Sequence, residues 1–294
     1  MIQFIMKRLV NIIDVTARDG LQNLKKLVPL NEKINLVNRL TNCGFNHIEV
    51  GSHVTPKLLQ MSNSLELYDQ IIKKNSVKYT ILVPSIKKFI EIEKKNLPSI
   101  STITTISETF AKKNMNMDIW TSIDNISAMC NYKKSYGEKN PFLLRVYISC
   151  CFGCPFEGDN ISLIMFDRIL RCLPCEVDEI VISDTVGSIN IEKLEKILDL
   201  INTTGININK FALHVHCTDD KIPDIIDISL KYNLRNFDVS LSKLGGCPTV
   251  GKNVNYNMNA IKTNEYLEKK GYQTGLDHNK LIETELWLNN IIKE

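Results

Sequence analysis

Residues 10–23 read V-N-I-I-D-V-T-A-R-D-G-L-Q-N. The run 10–15 is short, apolar and β-branched, and it leads directly into the charged pair Arg18-Asp19 and a turn glycine, Gly20. A charged pair where a buried strand surfaces is costly unless a ligand or a metal uses it. The partners such a pair needs stand far downstream, in His214-Val215-His216.

Further apolar, β-branched runs occur at 47–50, 79–83, 102–106, 143–149, 179–183, 211–216 and 237–241. Between them lie stretches of helical period at 32–42, 58–72, 117–132, 162–173, 191–201 and 223–232, with a shorter one at 85–95. Alternating strands and helices imply a parallel sheet. Eight such units fit an α/β fold of the (β/α)8 TIM-barrel type, ahead of a doubly wound open sheet. The chain reads as a single catalytic domain, a barrel over 8–256 followed by two C-terminal helices within 257–294.

With 294 residues, 44% hydrophobic and 23% charged, there is ample material for one large core. A net charge of +3 with interspersed signs offers no electrostatic case for nucleic acid or an anionic membrane. No apolar run approaches the roughly 20 residues that span a bilayer, and residues 1–8 are too short for a secretory signal. The expected setting is the cytoplasm, with the nine cysteines as thiols.

A barrel places its chemistry at the C-terminal ends of its strands. Arg18, Asp19 and Gln22 follow the first strand, Glu49 ends the second, Asp184 follows the sixth, and His214 and His216 end the seventh. At i, i+2 on a strand the two imidazoles share a face. With the Asp19 carboxylate they form a candidate divalent-metal site with open positions, a donor set that suits Mg2+ or Mn2+ as well as Zn2+. Leu244-Gly245-Gly246-Cys247-Pro248 follows the last strand and holds a thiol over the same rim, where it could serve as acid or base. Lys25 on the first loop is a further candidate substrate contact, and Lys112 and Lys113 after the fourth strand suit a substrate phosphate. Cys151-x-x-Cys154 and Cys172-x-x-Cys175 have the spacing of a structural zinc site. In a barrel, however, the intervening helix holds the pairs roughly 20 Å apart, too far to share one ion.

Together these residues resemble the 3-hydroxy-3-methylglutaryl-CoA lyases, metal-dependent barrels of a group that makes or breaks carbon–carbon bonds. The resemblance covers residues 10–276 through R-D-G-L-Q-N (18–23), I-E-V-G-S (48–52), F-A-K-K-N (110–114), Y-I-S-C-C-F-G-C-P-F-E-G (147–158), S-D-T-V-G (183–187), H-V-H (214–216) and L-G-G-C-P (244–248). It implies that Asp19, His214 and His216 are metal ligands. Asn257 would be the fourth, with Asn253 or Asn255 as alternatives. It implies that Arg18 steadies a thioester oxygen, that Cys247 is the catalytic thiol on a mobile loop, and that Glu49, Asp184, His214 and Gln22 belong to the site. The implied reaction cleaves 3-hydroxy-3-methylglutaryl-CoA to acetoacetate and acetyl-CoA, in a homodimer that takes an acyl-CoA thioester. The alternatives are a lyase for a related 3-hydroxyacyl-CoA, an acetyl-CoA-dependent synthase or aldolase, and a barrel without turnover. Against the synthase stand Leu21, where synthases carry an acidic residue, and the cysteine loop. The chain departs from the family at Cys217, where His-x-His is usually followed by Asp, at Lys243, where glycine is usual, and over 249–257.

Overall fold

Eight parallel strands close on themselves in the order of the sequence: β1 (Asn11–Asp14), β2 (His47–Ser52), β3 (Lys78–Leu82), β4 (Ser99–Thr105), β5 (Leu143–Ser149), β6 (Glu179–Ser183), β7 (Phe211–His214) and β8 (Asn236–Val239). The computed structural model describes residues 8–136, 141–159, 162–246 and 256–293. Closure is made by β1, which pairs with β2 through Asp14 and Ile48 and with β8 from Asn11–Asn236 to Asp14–Val239. This is the TIM barrel expected from the strand–helix alternation.

The helices α1 (Leu30–Asn42), α2 (Ser64–Gln70), α3 (Ile86–Ile92), α4 (Ile119–Tyr136), α5 (Leu163–Cys172), α6 (Ile191–Thr204) and α7 (Ile222–Lys231) lie between successive strands. Their ends follow local chemistry. Asn190 accepts from the Lys193 amide at the start of α6, and Gly205, at φ +74°, ends that helix in a left-handed turn few other residues adopt cheaply. The two C-terminal helices, α8 (Ala260–Lys269) and α9 (His278–Ile292), continue the outer ring: α8 packs beside α7, and α9 fills the gap between α8 and α1.

Strand alternation divides the interior in two. Outward residues such as Leu144, Val146 and Ile148 of β5 join the main core between barrel and helices. Inward residues of the same strand, Arg145 and Tyr147, face a barrel lumen that is largely polar. Its apolar part is small: Tyr147, Val181 and Ala212, with Leu82 and Ile103 against them. The apolar pattern foretold the outward faces, whereas the polar lumen could be recognised only once inward positions met across the barrel.

His47, at the start of β2, is buried, and its Nε2 lies 2.7 Å from Thr80 Oγ1. Burial, with Arg145 and Lys78 nearby, pushes its pKa from 6.5 down to about 3. The folded protein keeps this ring neutral where the unfolded chain takes up a proton. The stability it contributes is whole above pH 6.5 and is lost as the pH falls from 6.5 toward 3, about 3 kcal/mol of it by pH 4. His47→Gln keeps a polar partner for Thr80 and cannot titrate. It is expected to flatten the decline of unfolding free energy between about pH 6.5 and 4, measured by urea melts. An unchanged slope would place the acid sensitivity elsewhere.

Candidate metal centre and active site

After β1 the chain enters a wide turn, Thr16–Gly20, in which the Gly20 amide bonds back to the Val15 carbonyl at 3.0 Å. Asp14 pins this turn by accepting from the amide (2.9 Å) and hydroxyl (2.7 Å) of Thr16. The turn lifts Arg18 and Asp19 to the C-terminal rim. There the Arg18 Nε donates to Glu49, its Nη1 donates to Asp19 Oδ1 at 2.6 Å, and its guanidinium lies 5.1 Å above the Tyr147 ring. Glu49 also accepts from Ser101 and, at 3.1 Å, from the Tyr147 hydroxyl. Arg18 is thus held on two sides in a buried setting, and its remaining N–H groups are the donors left for a ligand.

The other oxygen of Asp19 faces both imidazoles, 3.9 Å from His214 Nε2 and 3.6 Å from His216 Nε2. These separations exceed a hydrogen bond and suit donors that share one cation, whose ligands stand about 3–4 Å from one another when each lies about 2.0–2.2 Å from the ion. The three ligand atoms lie within 4.8 Å of one another, the one such group among the described residues. Asn257 joins them: its Nδ2 donates to Asp19 Oδ2 at 2.9 Å. Both ring nitrogens of His216 and the Oδ1 of Asn257 are buried without a hydrogen-bond partner among the described residues. Orphaned acceptors beside an ionised carboxylate are costly unless something positive satisfies them, so these residues fit a divalent cation. Burial opposes ionisation of Asp19, but Arg18 and the two imidazoles outweigh it and hold the carboxyl well below its usual range. Burial likewise opposes the charged form of His216, and contact with Asp19 overcomes it, leaving the pKa raised.

The run 211–216, expected as one strand, is broken. β7 stops at His214, while His216–Cys217 pairs antiparallel with Tyr256–Asn257, Asn257 opposite His216. β7 and β8 share only the Leu213–Phe237 register, which frees the chain beyond His214 to leave the barrel wall. Both imidazoles still reach the centre, with ring centroids 5.2 Å apart. This pairing is also what brings Asn257 to Asp19; Asn253 and Asn255 lie outside the described residues, as does Cys247. Gly245 closes the approach at φ +93°. A Cβ there would meet the Asn257 Nδ2 at 2.1 Å and Asp19 Oδ2 at 3.1 Å. Gly245→Ala is therefore expected to displace Asn257 and weaken Mn2+ binding at least about tenfold, read by electron paramagnetic resonance titration. Wild-type affinity in that variant would remove Asn257 from the centre.

Asp184 follows β6 at the same rim, but its oxygens are engaged. Oδ1 accepts from the amides of Val186, Gly187 and Ser188 at 3.0–3.3 Å, and Oδ2 from Ile189 at 3.0 Å. Burial raises its pKa despite these bonds and the nearby His216. It shapes the 184–189 loop beside the centre. Gln22 is half-buried beyond the Arg18 turn, and Lys25 is exposed further along the same loop. Lys112 and Lys113 stand on the loop after β4, Lys112 3.5 Å from Glu108 and Lys113 4.3 Å above the Phe156 ring. None of these four reaches the Asp19 cluster by a described contact. Leu21 is fully buried in the main core. Cys217 is buried too, and burial pushes its thiol up to about 12, so it stands neutral beside the centre. Lys243 takes φ +51° and lays its ammonium 5.3 Å from the Tyr256 ring. The two Cys-x-x-Cys pairs do not converge: Cys151 and Cys154 are buried at the top of β5, while Cys172, the last residue of α5, and Cys175 just after it are exposed.

One residue was not anticipated. Asp238, inside β8, is fully buried and lies 3.1 Å from His214 Nδ1. It accepts from Arg145 and, at 3.1 Å, from the Tyr147 hydroxyl, while the Arg145 Nε donates to Glu179 at 3.0 Å. The available signal was a lone carboxylate inside the apolar run N-F-D-V-S (236–240).

A carboxylate and two imidazoles gathered at strand ends of a closed (β/α)8 barrel define a barrel enzyme with a candidate divalent-cation centre. The HMGL-like family pattern matches residues 9–222. A cytoplasmic 3-hydroxy-3-methylglutaryl-CoA lyase of Homo sapiens is 31% identical over 277 residues, 93% of this chain and 73% of that protein. A 3-hydroxy-3-isohexenylglutaryl-CoA/hydroxy-methylglutaryl-CoA lyase of Pseudomonas aeruginosa is 29% identical over 93% of this chain and 90% of that one. Among solved structures, the HMG-CoA lyase of Brucella melitensis superposes with a TM-score of 0.89 at 30% identity, covering 98% of this chain and all of that one. An Acinetobacter baumannii HMG-CoA lyase in complex with coenzyme A and 3-methylmalate superposes with a TM-score of 0.86 at 26% identity, covering 97% and 92%. The chain belongs to the HMGL-like family and is an enzyme of the carbon–carbon lyase type. No helix among its described residues is long and apolar enough to cross a membrane.

Proposed function

We propose that this protein cleaves 3-hydroxy-3-methylglutaryl-CoA into acetoacetate and acetyl-CoA with the help of a divalent cation, Mg2+ or Mn2+ before Zn2+. The observation that carries the reading is the set of buried, unpartnered ligand atoms of His216 and Asn257 facing Asp19 and His214, beside an arginine held in place by Glu49. Asp19, His214, His216 and Asn257 would hold the cation, which when bound acidifies a coordinated hydroxyl and polarises oxygens.

The rest falls to the chain's own side chains. Breaking the C2–C3 bond requires that the C3 hydroxyl give its proton to water as the C3–O bond becomes a carbonyl. The electron pair of the broken bond moves to C2 and spreads onto the thioester oxygen as an enolate. The Arg18 guanidinium, pre-aimed by Glu49 and Asp19, offers fixed positive charge to that oxygen without reorganising. Protonation at C2 then yields acetyl-CoA, and Cys247 is the thiol we assign to that transfer. Gln22, Lys25, Lys112 and Lys113 are assigned to the acyl-CoA outside the reacting centre, Lys112 and Lys113 to its phosphates. Glu49 and Asp184 act by holding Arg18 and the 184–189 loop. We place the enzyme in the cytoplasm, as a homodimer.

The test is acetoacetate release from 3-hydroxy-3-methylglutaryl-CoA by purified protein, with Mg2+ and with chelator. Chelator-sensitive release is the expected result. A folded, Mn2+-binding protein that releases none, yet cleaves a 3-hydroxyacyl-CoA with a longer 3-substituent, would move the substrate to that class.

A further inference from the structure

On the reading that Asp19 and the two imidazoles hold a cation, we infer that Asp238, oriented by Arg145, is the positioning residue that keeps the proton of His214 on Nδ1 and so leaves Nε2 open for the ion. Arg145 is the largest fully buried side chain among the described residues. A guanidinium only donates and stays charged. Its Nη2 donates to Asp238 Oδ1, its Nε to Glu179 at 3.0 Å, and its Nη1 to the Tyr147 hydroxyl at 2.9 Å. Buried and paired in this way, Asp238 is an ionised carboxylate and can only accept.

Its second oxygen, Oδ2, lies 3.1 Å from His214 Nδ1. Because an ionised carboxylate has no proton to give, Nδ1 must donate, and a neutral imidazole with Nδ1–H carries its lone pair on Nε2. That nitrogen is the one facing Asp19, 3.9 Å away. A carboxylate behind a ligating histidine fixes both tautomer and ring orientation. In this chain the carboxylate is itself aimed from the opposite side by an arginine of β5.

Arg145 also sets the outcome of a minimal change. In Asp238→Asn, the amide oxygen must turn toward Arg145, because the alternative places NH2 against a donor-only guanidinium. The NH2 then faces His214 Nδ1, which must accept, and the ring proton moves to Nε2, where it blocks the cation.

The test uses the full chain labelled with 15N in histidine, free of metal, at pH 8. Long-range 1H–15N spectra are recorded for wild type and Asp238→Asn, with His214 assigned through His214→Gln. Wild type is expected to show Nδ1–H and the variant Nε2–H. Mn2+ affinity, measured by paramagnetic resonance, is expected to fall about 10- to 100-fold in the variant. A purely structural role would lower the melting temperature but leave tautomer and affinity unchanged in the folded variant, and that result would overturn the inference. If the variant does not fold, an Nε2–H tautomer in wild type overturns it and Nδ1–H supports it. Failure of the underlying reading is distinct, because wild type itself would then bind no Mn2+.

Discussion

Asp19→Ala is expected to lower acetoacetate release by about 10^3-fold or more, with melting temperature and far-ultraviolet dichroism close to wild type. The carboxylate stands at the junction of two systems. One oxygen accepts from Arg18 and the other faces His214, His216 and Asn257. Its removal deletes a charged ligand and leaves two imidazoles and an amide that hold a divalent cation poorly. A bound cation supplies several kcal/mol of charge stabilisation in such reactions, and each 1.36 kcal/mol is about tenfold in rate. Folding should survive, because Asp19 is the least buried member of the group and sits on a turn that Asp14 and Thr16 hold independently. Parallel Mn2+ titration separates the two halves of the claim. Turnover within threefold of wild type, at metal concentrations where Mn2+ no longer binds, would remove the cation from the reaction.

Arg145→Met is expected to act on the fold. Methionine matches much of the stem but leaves Asp238 and Glu179 without the guanidinium that now joins them. Breaking a buried ion pair by removing one partner costs about 3–5 kcal/mol, because the other charge stays buried and unpaired. For a chain of this size that is a loss of roughly 10 °C in melting temperature, readable by calorimetry. A second consequence separates this from simple loss of packing. Arg145→Met/Asp238→Leu, which removes both members, should recover part of the loss. If the single variant melts within about 2 °C of wild type, the pair does not support the barrel.

The barrel could be read from the chain because its cause is local. Each outward face of β5, β6 and β8 is a run of apolar residues at period two, and each intervening helix keeps its own apolar stripe. The Arg18-Asp19 turn and the His214/His216 pair were legible for the same reason: few residues of the right chemistry stand close together in sequence. The break after His214 was not, since it arises from the antiparallel pairing of His216–Cys217 with Tyr256–Asn257, a partner about forty residues away. That pairing brings Asn257 to Asp19. Asp184 had the right place at a strand end, yet its oxygens are spent on four amides, a fact of loop conformation that composition does not carry.

Local periodicity and short motifs therefore determined the architecture, the rim on which the chemistry lies, and the three side chains that meet there. Tertiary structure alone decided the lumen. Arg145, Glu179 and Asp238 are charged residues in strands that would otherwise read as plain core, and a buried charge has meaning only through the partner that neutralises it. Glu179 of β6 meets Arg145 of β5 across one strand register, but only closure of the sheet brings Asp238 of β8 within hydrogen-bond distance of that arginine.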